Sequence, residues 1–289
     1  MSQPARASGT FKLGGDLEIV RMGYGAMQIT GEGVWGPPED RNEALRVLRR
    51  TVELGVTFID TADAYGPYVS EDLIAEALHP YPDNLVIGTK GGLVRYAPAK
   101  WGVCGKPVYL RQCIEMSLRR LKLDHIPLYQ LHRIDKDFPL EDQLGVLKEM
   151  QEEGKIGLIG LSEVGVEEIE AASGVVDVAS VQNRYSVGHR KHEDVVEHCE
   201  KHGIGFIPWY PLDSGRLAEE GGPVDEAARQ TGASRAQVAL AWLLRRSPVI
   251  LPIPGTSKVK HLEENVAASE VNIPDDLYEE MTAETTPSR

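Results

Sequence analysis

Long apolar runs are missing from this chain, and no stretch approaches the ~20 residues that a membrane-spanning helix needs. The opening residues, Met1 to Gly9, hold no apolar core, which argues against a signal peptide. Cysteine is scarce. Cys104, Cys113 and Cys199 are odd in number and scattered, with no C-x-x-C, so a reduced cytoplasmic setting follows more easily than a disulfide scaffold. Positive charge is in deficit: 31 Lys and Arg against 44 Asp and Glu leave a net charge of -13. That balance argues against a nucleic-acid or anionic-membrane surface, although a local basic cluster can still hold a small anion. What the chain does have is size. Its 289 residues, 42% hydrophobic, suit one (β/α) barrel of roughly 250 residues with additions, or two smaller domains. No composition break marks a boundary, so one domain over residues 1–289 is expected.

The stretch Val56 to Tyr65 sets the pattern. A short apolar run with β-branched and aromatic residues predicts a buried strand that ends on Asp60, with the phenol of Tyr65 in the loop beyond. The same device recurs where Leu85–Thr89 runs into Lys90 and Pro127–Leu131 runs into His132. Further strands are expected to end near Ser162, Asn183, Trp209 and Pro252, and a short one begins at Met22. Helical patterns lie between them, at Glu39–Leu54, Ser70–Leu78, Pro107–Leu121, Leu140–Glu153, Val166–Ala172, His192–His202 and Ser234–Arg246. Ser234 and Gln237 make a capping-box signature. A helix from Lys258 to Ala268 follows the eighth strand, and Asp275–Thr282 adds a C-terminal helix within the segment 270–289. At the other end, Thr10–Leu13 and Leu17–Val20 flank Gly14-Gly15-Asp16 and predict a hairpin within 10–20 after a polar tail. Eight βα units at about thirty-residue spacing favour a closed (β/α)8 TIM barrel over an open sheet.

In such barrels catalytic groups sit at the C-terminal strand ends. Asp60, Lys90 and His132 fall there in consecutive units, with Tyr65 beside them. Each alone reads as a strand cap or salt bridge; together they suit carbonyl reduction. A phenol at its ordinary pKa of ~10 is a poor acid, and an ammonium ~4 Å away would lower that value by up to ~3, less what Asp60 screens. His132 would orient the substrate oxygen. No side chain supplies hydride, so a nicotinamide cofactor is implied. Gly23-Tyr24-Gly25 lacks the third glycine of a Rossmann turn, since Gln28 stands there. The cofactor would lie across the barrel mouth. There, Ser162 and Gln182-Asn183 could bond an amide and Trp209 could stack on a ring. Gly255-Thr256-Ser257-Lys258, with Lys260 and His261 nearby, would hold an anion at a helix N-terminus. Trp35, Trp101 and Trp209 are expected to line an apolar substrate pocket, the first two on mobile loops within Gly31–Pro38 and Gly91–Pro107.

These residues resemble the aldo-keto reductase family. The matches are Phe58 to Gly66, Lys90, Leu131-His132, Pro252 to Lys258, and Leu262-Glu263-Glu264-Asn265. The resemblance runs from Thr10 to about Ala268. It implies a barrel plugged by the hairpin, NADPH in extended form with NADH as the alternative, Tyr65 as proton donor, Lys90 and Asp60 as its tuners, and His132 as orienter. It assigns Ser162, Gln182 and Trp209 to the nicotinamide, and Thr256, Ser257 and Lys258 to the 2′-phosphate. Glu264 and Asn265 fall to the adenine, and His261 stands where many members carry arginine. Further contacts fall to Gly25, Ala26, Met27, Asp60, Tyr210, Pro211, Leu212 and Gly255. Glu163 stands where many relatives have asparagine. Gly23 to Gln28, with Val34 to Pro38, looks most like a bacterial branch that includes pyridoxal reductases.

A metal site at His189, His192, His198 and His202 is the weaker reading of those residues, because no carboxylate or cysteine completes a ligand set at usual spacing. Val195, Val196 and Cys199 instead mark a core-facing helix stripe. The expected partners are a small-molecule carbonyl substrate and at most a weak oligomer. A non-catalytic regulatory subunit, of the kind seen in potassium-channel β subunits, is the alternative to an enzyme.

Overall fold

In a computed structural model that describes residues 2–213 and 220–284, the alternating pattern becomes a curled parallel sheet wrapped by helices. Two antiparallel hairpins stand outside that sheet: β1 (Thr10–Leu13) with β2 (Leu17–Val20), and β6 (Leu93–Ala97) with β7 (Lys100–Val103). The sheet itself runs β3 (Tyr24–Gly25), β4 (Phe58–Asp60), β5 (Val86–Gly91), β8 (Ile126–Leu131), β9 (Ile156–Ser162), β10 (Val178–Gln182) and β11 (Gly205–Phe206), each parallel to the next.

Residues 249–253 close the cylinder. The Phe206 N–H donates to the Val249 carbonyl and the Leu251 N–H to the Phe206 carbonyl, both at 2.8 Å. On the other side the Gly23 N–H donates to the Pro252 carbonyl at 2.9 Å. This eighth position pairs through one isolated bridge, Phe206 with Ile250, because Pro252 and Pro254 carry no N–H to continue a ladder.

Side-chain alternation within the strands places the site. Inward positions read Phe58 then Asp60 on β4; Val86, Gly88 and Lys90 on β5; and Leu128, Gln130 and then His132 along β8 and just beyond it. Apolar side chains therefore fill the lower interior and polar ones the upper. Leu13 and Ile19 of the first hairpin pack against Phe58, Val86, Leu128, Ile207 and Leu251, plugging the N-terminal end. A hydrogen bond of 2.7 Å from the Val20 N–H to Thr57 Oγ1 ties the plug to β4. The C-terminal end is left open for chemistry.

The helices fall close to the expected spans: α1 (Arg41–Glu53), α2 (Val69–Leu78), α3 (Pro107–Leu121), α4 (Leu140–Glu152), α5 (Val166–Ser173) and α6 (Glu193–His202). Beyond them come α7 (Pro223–Thr231), α8 (Arg235–Arg246), α9 (Val259–Ala267) and α10 (Asp275–Glu284); the tail 285–289 lies outside the described residues. The capping box of α8 forms as read, with the Gln237 N–H on Ser234 Oγ and the Ser234 N–H on Gln237 Oε1.

Two features were not read from the sequence, and one expectation needs correction. The polar tail is partly ordered: Pro4–Ser8 forms a 3-10 turn with Ala5 and Ser8 buried, and Ser8 Oγ accepts from the Met22 N–H at 3.0 Å. Helix α7 escaped the sequence reading because a single turn of it, Pro223 to Ala227, carries all its buried residues. The stretch Gly91–Pro107 is no simple loop, since most of it is the hairpin β6–β7.

Glycine is needed at position 160. A Cβ there would lie 2.2 Å from Ser180 Oγ and 2.8 Å from Gln130 Cγ, which leaves no space beside the inward-facing glutamine. Gly160→Ala is therefore expected to destabilise the protein by about 1–3 kcal/mol in urea unfolding. A wild-type midpoint and slope would contradict this packing.

Candidate active site

Lys90 is the centre of the open end. Its side chain is fully buried, and its ammonium donates to Asp60 Oδ1 at 2.6 Å, to the Thr61 carbonyl at 2.8 Å and to the Tyr65 hydroxyl at 3.3 Å. Three N–H groups thus meet three acceptors, which is what a buried ammonium requires. Asp60 is equally committed. Its Oδ2 accepts from Gln130 Nε2 at 3.0 Å and from Gln182 Nε2 at 2.9 Å. Burial pulls the Lys90 pKa down, but the charge of Asp60, then Tyr65, outweighs it and the net direction is up. Lys90 is held as a cation.

The Tyr65 ring meets the His132 ring edge-on at 5.9 Å. Burial pushes the Tyr65 phenol above its usual value; Lys90 pulls the other way and Asp60 adds to the rise. This corrects the expected lowering, because removal of water outweighs the ammonium in the resting site. Burial, then the charges of Lys90 and Arg133, hold the His132 pKa well below the ordinary imidazole value, and its Nδ1 is buried without a hydrogen-bond partner. His132 is a neutral imidazole.

These groups open onto a cleft of about 880 Å³. Of the expected residues, Asp60, Tyr65, His132, Ser162 and Gln182 face it at the strand ends. Trp209, Tyr210, Pro211 and Leu212 form one wall, while Gly25, Met27 and Gly255 form the floor. Trp101 lines the opposite wall with Leu93 and Val103. Ala26 is buried outside the cleft, where its carbonyl accepts from Ser70 Oγ at 3.0 Å. Asn183 is also set apart, its amide bonded on both sides to the Val164 main chain at 2.7 and 3.1 Å.

Trp35 does not line the cleft, and its loop is fastened down. Arg95 of β6 donates to the carbonyls of Gly33, Val34 and Ala64 at 2.7–2.9 Å, and its guanidinium lies 3.6 Å from the Trp101 ring centroid. One arginine therefore joins the Trp35 loop, the Tyr65 loop and the Trp101 hairpin into a single wall.

A ledge extends from Gly255 to α9. Thr256 is buried: its carbonyl accepts from the Tyr24 hydroxyl at 2.7 Å and its Oγ1 from the Lys258 N–H at 3.1 Å. Ser257 and Glu264 are half-buried, Asn265 is buried, and Lys258 and His261 are exposed. The first helical N–H of α9, at Val259, already donates to the Glu43 carboxylate at 3.0 Å, so an anion there meets an acid that the sequence reading did not place.

A sequence profile described as the Aldo/keto reductase family matches residues 21–284. The chain belongs to that family. Among curated relatives, an uncharacterised oxidoreductase of Schizosaccharomyces pombe is 50% identical over 97% of this chain and 91% of its own length. A pyridoxine 4-dehydrogenase of Escherichia coli is 41% identical over 94% of this chain and 96% of its own. Among solved structures, an aldo-keto reductase from Klebsiella pneumoniae in complex with NADPH superposes with a TM-score of 0.83 at 25% identity, covering 97% of this chain and 96% of that one. A thermostable aldo-keto reductase in complex with the inhibitor epalrestat gives 0.83 at 28% identity, covering 95% and 98%.

Two residues of this reductase site were not read from sequence. Gln130 precedes His132 by one inward step, a period-2 signal that was available. Arg133 lines the cleft, donating to the His132 carbonyl at 2.6 Å and to Ser162 Oγ at 2.9 Å, and had no comparable signal. On α6, His202 Nδ1 sits 2.8 Å from the His198 carbonyl, and Val195, Val196 and Cys199 are buried as the stripe predicted. Among the described residues no three His, Cys, Asp or Glu side chains group as metal ligands.

Behind the tetrad of Asp60, Tyr65, Lys90 and His132 lies a further buried acid, Asp63. Asp63 Oδ1 has no hydrogen-bond partner, and burial, then the charge of Glu71, pushes its pKa up to about 7. An unfolded chain ionises that carboxyl near ~3.9. Between about pH 4 and 7 the native state therefore binds the extra proton, and Asp63's contribution to stability falls as pH rises through that window. Asp63→Asn should gain on wild type in urea unfolding between pH 4.5 and 7.5. A gain that does not change with pH would contradict a raised Asp63 pKa.

Proposed function

We propose that this protein is an NADPH-dependent carbonyl reductase acting on aldehydes or small ketones, in a reduced cytoplasmic setting. The single observation that carries the reading is a cation fixed 3.3 Å from a phenol that faces an open cleft. The cleft fits a dinucleotide. Its floor brings main chain of Gly25 and Gly255 together, a Cβ on Gly255 coming within 2.8 Å of the Gly25 carbonyl, and its wall offers the Trp209 ring beside Ser162 and Gln182. The ledge carrying Thr256, Ser257, Lys258 and His261 would take the phosphate end, with Glu264 and Asn265 toward the adenine. The nicotinamide supplies the hydride. The bound NADPH of the Klebsiella relative supports this cofactor.

This chain's residues would then handle the oxygen. An unpaired acceptor nitrogen is tolerated in a buried site more readily than an unpaired N–H, so the His132 proton belongs on Nε2, where it donates to the substrate oxygen. Tyr65, which carries its proton at neutral pH, gives it to that oxygen. The charge left on the phenolate meets the Lys90 ammonium, held by Asp60, Gln130 and Gln182. Lys90 thus acts mainly as the proton leaves, where stabilisation raises the rate. The pyridoxine 4-dehydrogenase relative supports testing pyridoxal among the aldehydes. A regulatory subunit would keep the same tetrad, but the two relatives described above are named for oxidoreductase or dehydrogenase activity.

Tyr65→Phe removes the proton donor and little else. Its turnover on an aldehyde panel should fall by about 10²–10⁴-fold while NADPH binding, followed by quenching of cofactor fluorescence, stays within a few-fold. Loss of NADPH binding in the variant, or unaltered turnover, would contradict these roles.

A further inference from the structure

We infer that Glu163 is a positioning residue that locks the Trp209 indole in the orientation the cleft presents to the nicotinamide ring. This deepens the reductase reading and rests on it. Glu163 directly follows β9 and has a φ of 58°. A non-glycine residue in that left-handed region bears a conformational cost, and it persists only where the surroundings fix it. Here they do. The Glu163 N–H donates to the Gln182 carbonyl at 3.0 Å, and its Oε1 accepts from the Trp209 indole N–H at 2.6 Å and the Arg184 main-chain N–H at 2.7 Å.

The bond has a directional consequence. An indole has one polar group. With that N–H turned onto Glu163, the ring offers the cleft only its apolar surface, the part suited to stacking. The Trp209 main chain is held as well: its N–H donates to the Asn183 carbonyl at 3.1 Å. Arg184, whose N–H shares the Glu163 oxygen, also pairs with Asp213 at 2.9 Å on the same wall. A carboxylate oxygen accepting from two N–H donors makes charge-assisted bonds, stronger than neutral ones. One acid thus ties the ends of β9, β10 and β11 to the face of a single ring.

The test uses the full chain with and without cofactor. The Trp209 indole proton, assigned in ¹H–¹⁵N spectra by its loss in Trp209→Phe, should be shifted downfield and protected from exchange in the ligand-free wild type. It should move and lose protection in Glu163→Ala, and be largely kept in Glu163→Gln, which retains an acceptor oxygen. Titration with NADP⁺ should show binding about tenfold weaker for Glu163→Ala, the size of one lost charge-assisted bond. Glu163→Gln should stay within a few-fold. In a Trp209→Phe background, which has no indole N–H, the same alanine change should have less than half that logarithmic effect. An unaltered indole proton in Glu163→Ala overturns the inference. So does equal weakening of NADP⁺ binding with and without the indole. A wild type with the expected indole proton but no NADP⁺ binding overturns instead the reductase reading, and the inference falls with it.

Discussion

A buried ammonium needs a compensating charge and three acceptors, and satisfying Lys90 organises the whole open end of this barrel. Its pairing with Asp60 would be of doubtful net benefit if stability were all that mattered, because taking both ions out of water offsets most of their attraction. The arrangement makes sense as preorganisation. Asp60 is held by two glutamines from other strands, so the cation cannot relax away from the Tyr65 hydroxyl. A charge fixed in a dry site acts strongly on whatever charge develops beside it.

Because the strands are parallel and neighbouring, residues at equivalent heights converge without any long-range device. β4, β5 and β8 deliver an acid, an amine and an imidazole, and β9 and β10 deliver Ser162 and Gln182. Glycines at 88 and 160 make room beside them for Phe58 and Gln130. Above this rigid rim the two cleft walls are each fixed by one residue of charge: Arg95 behind Trp101, and Glu163 behind Trp209. The apolar surfaces of these two rings are thus set by polar contacts made behind them.

Much of this was legible in the sequence because strand ends announce themselves. A short apolar run that stops on Asp60, Lys90 or His132 places a titratable group at a rim before any fold is known. Gln130 was harder, since one amide inside an apolar strand reads as an exception until its partner across the barrel is visible. The direction of the Tyr65 pKa was misjudged for a related reason: the sequence shows which charges come near, but not how completely water is removed. The hairpin carrying Trp101 and the clamp at Arg95 are products of tertiary contact, with carbonyl acceptors at Gly33, Val34 and Ala64 drawn from two separate segments. Glu43 at the start of α9 belongs to the same class, as its partner Val259 lies 216 residues away.

The most direct test of the central claim is the single-turnover rate of NADPH oxidation by an aldehyde in Lys90→Met, with folding checked by circular dichroism. The account predicts that the rate falls by about 10²-fold or more while NADPH affinity changes little, since the cation acts on charge that appears only as the phenol gives up its proton. A folded Lys90→Met protein that transfers hydride at the wild-type rate would contradict it.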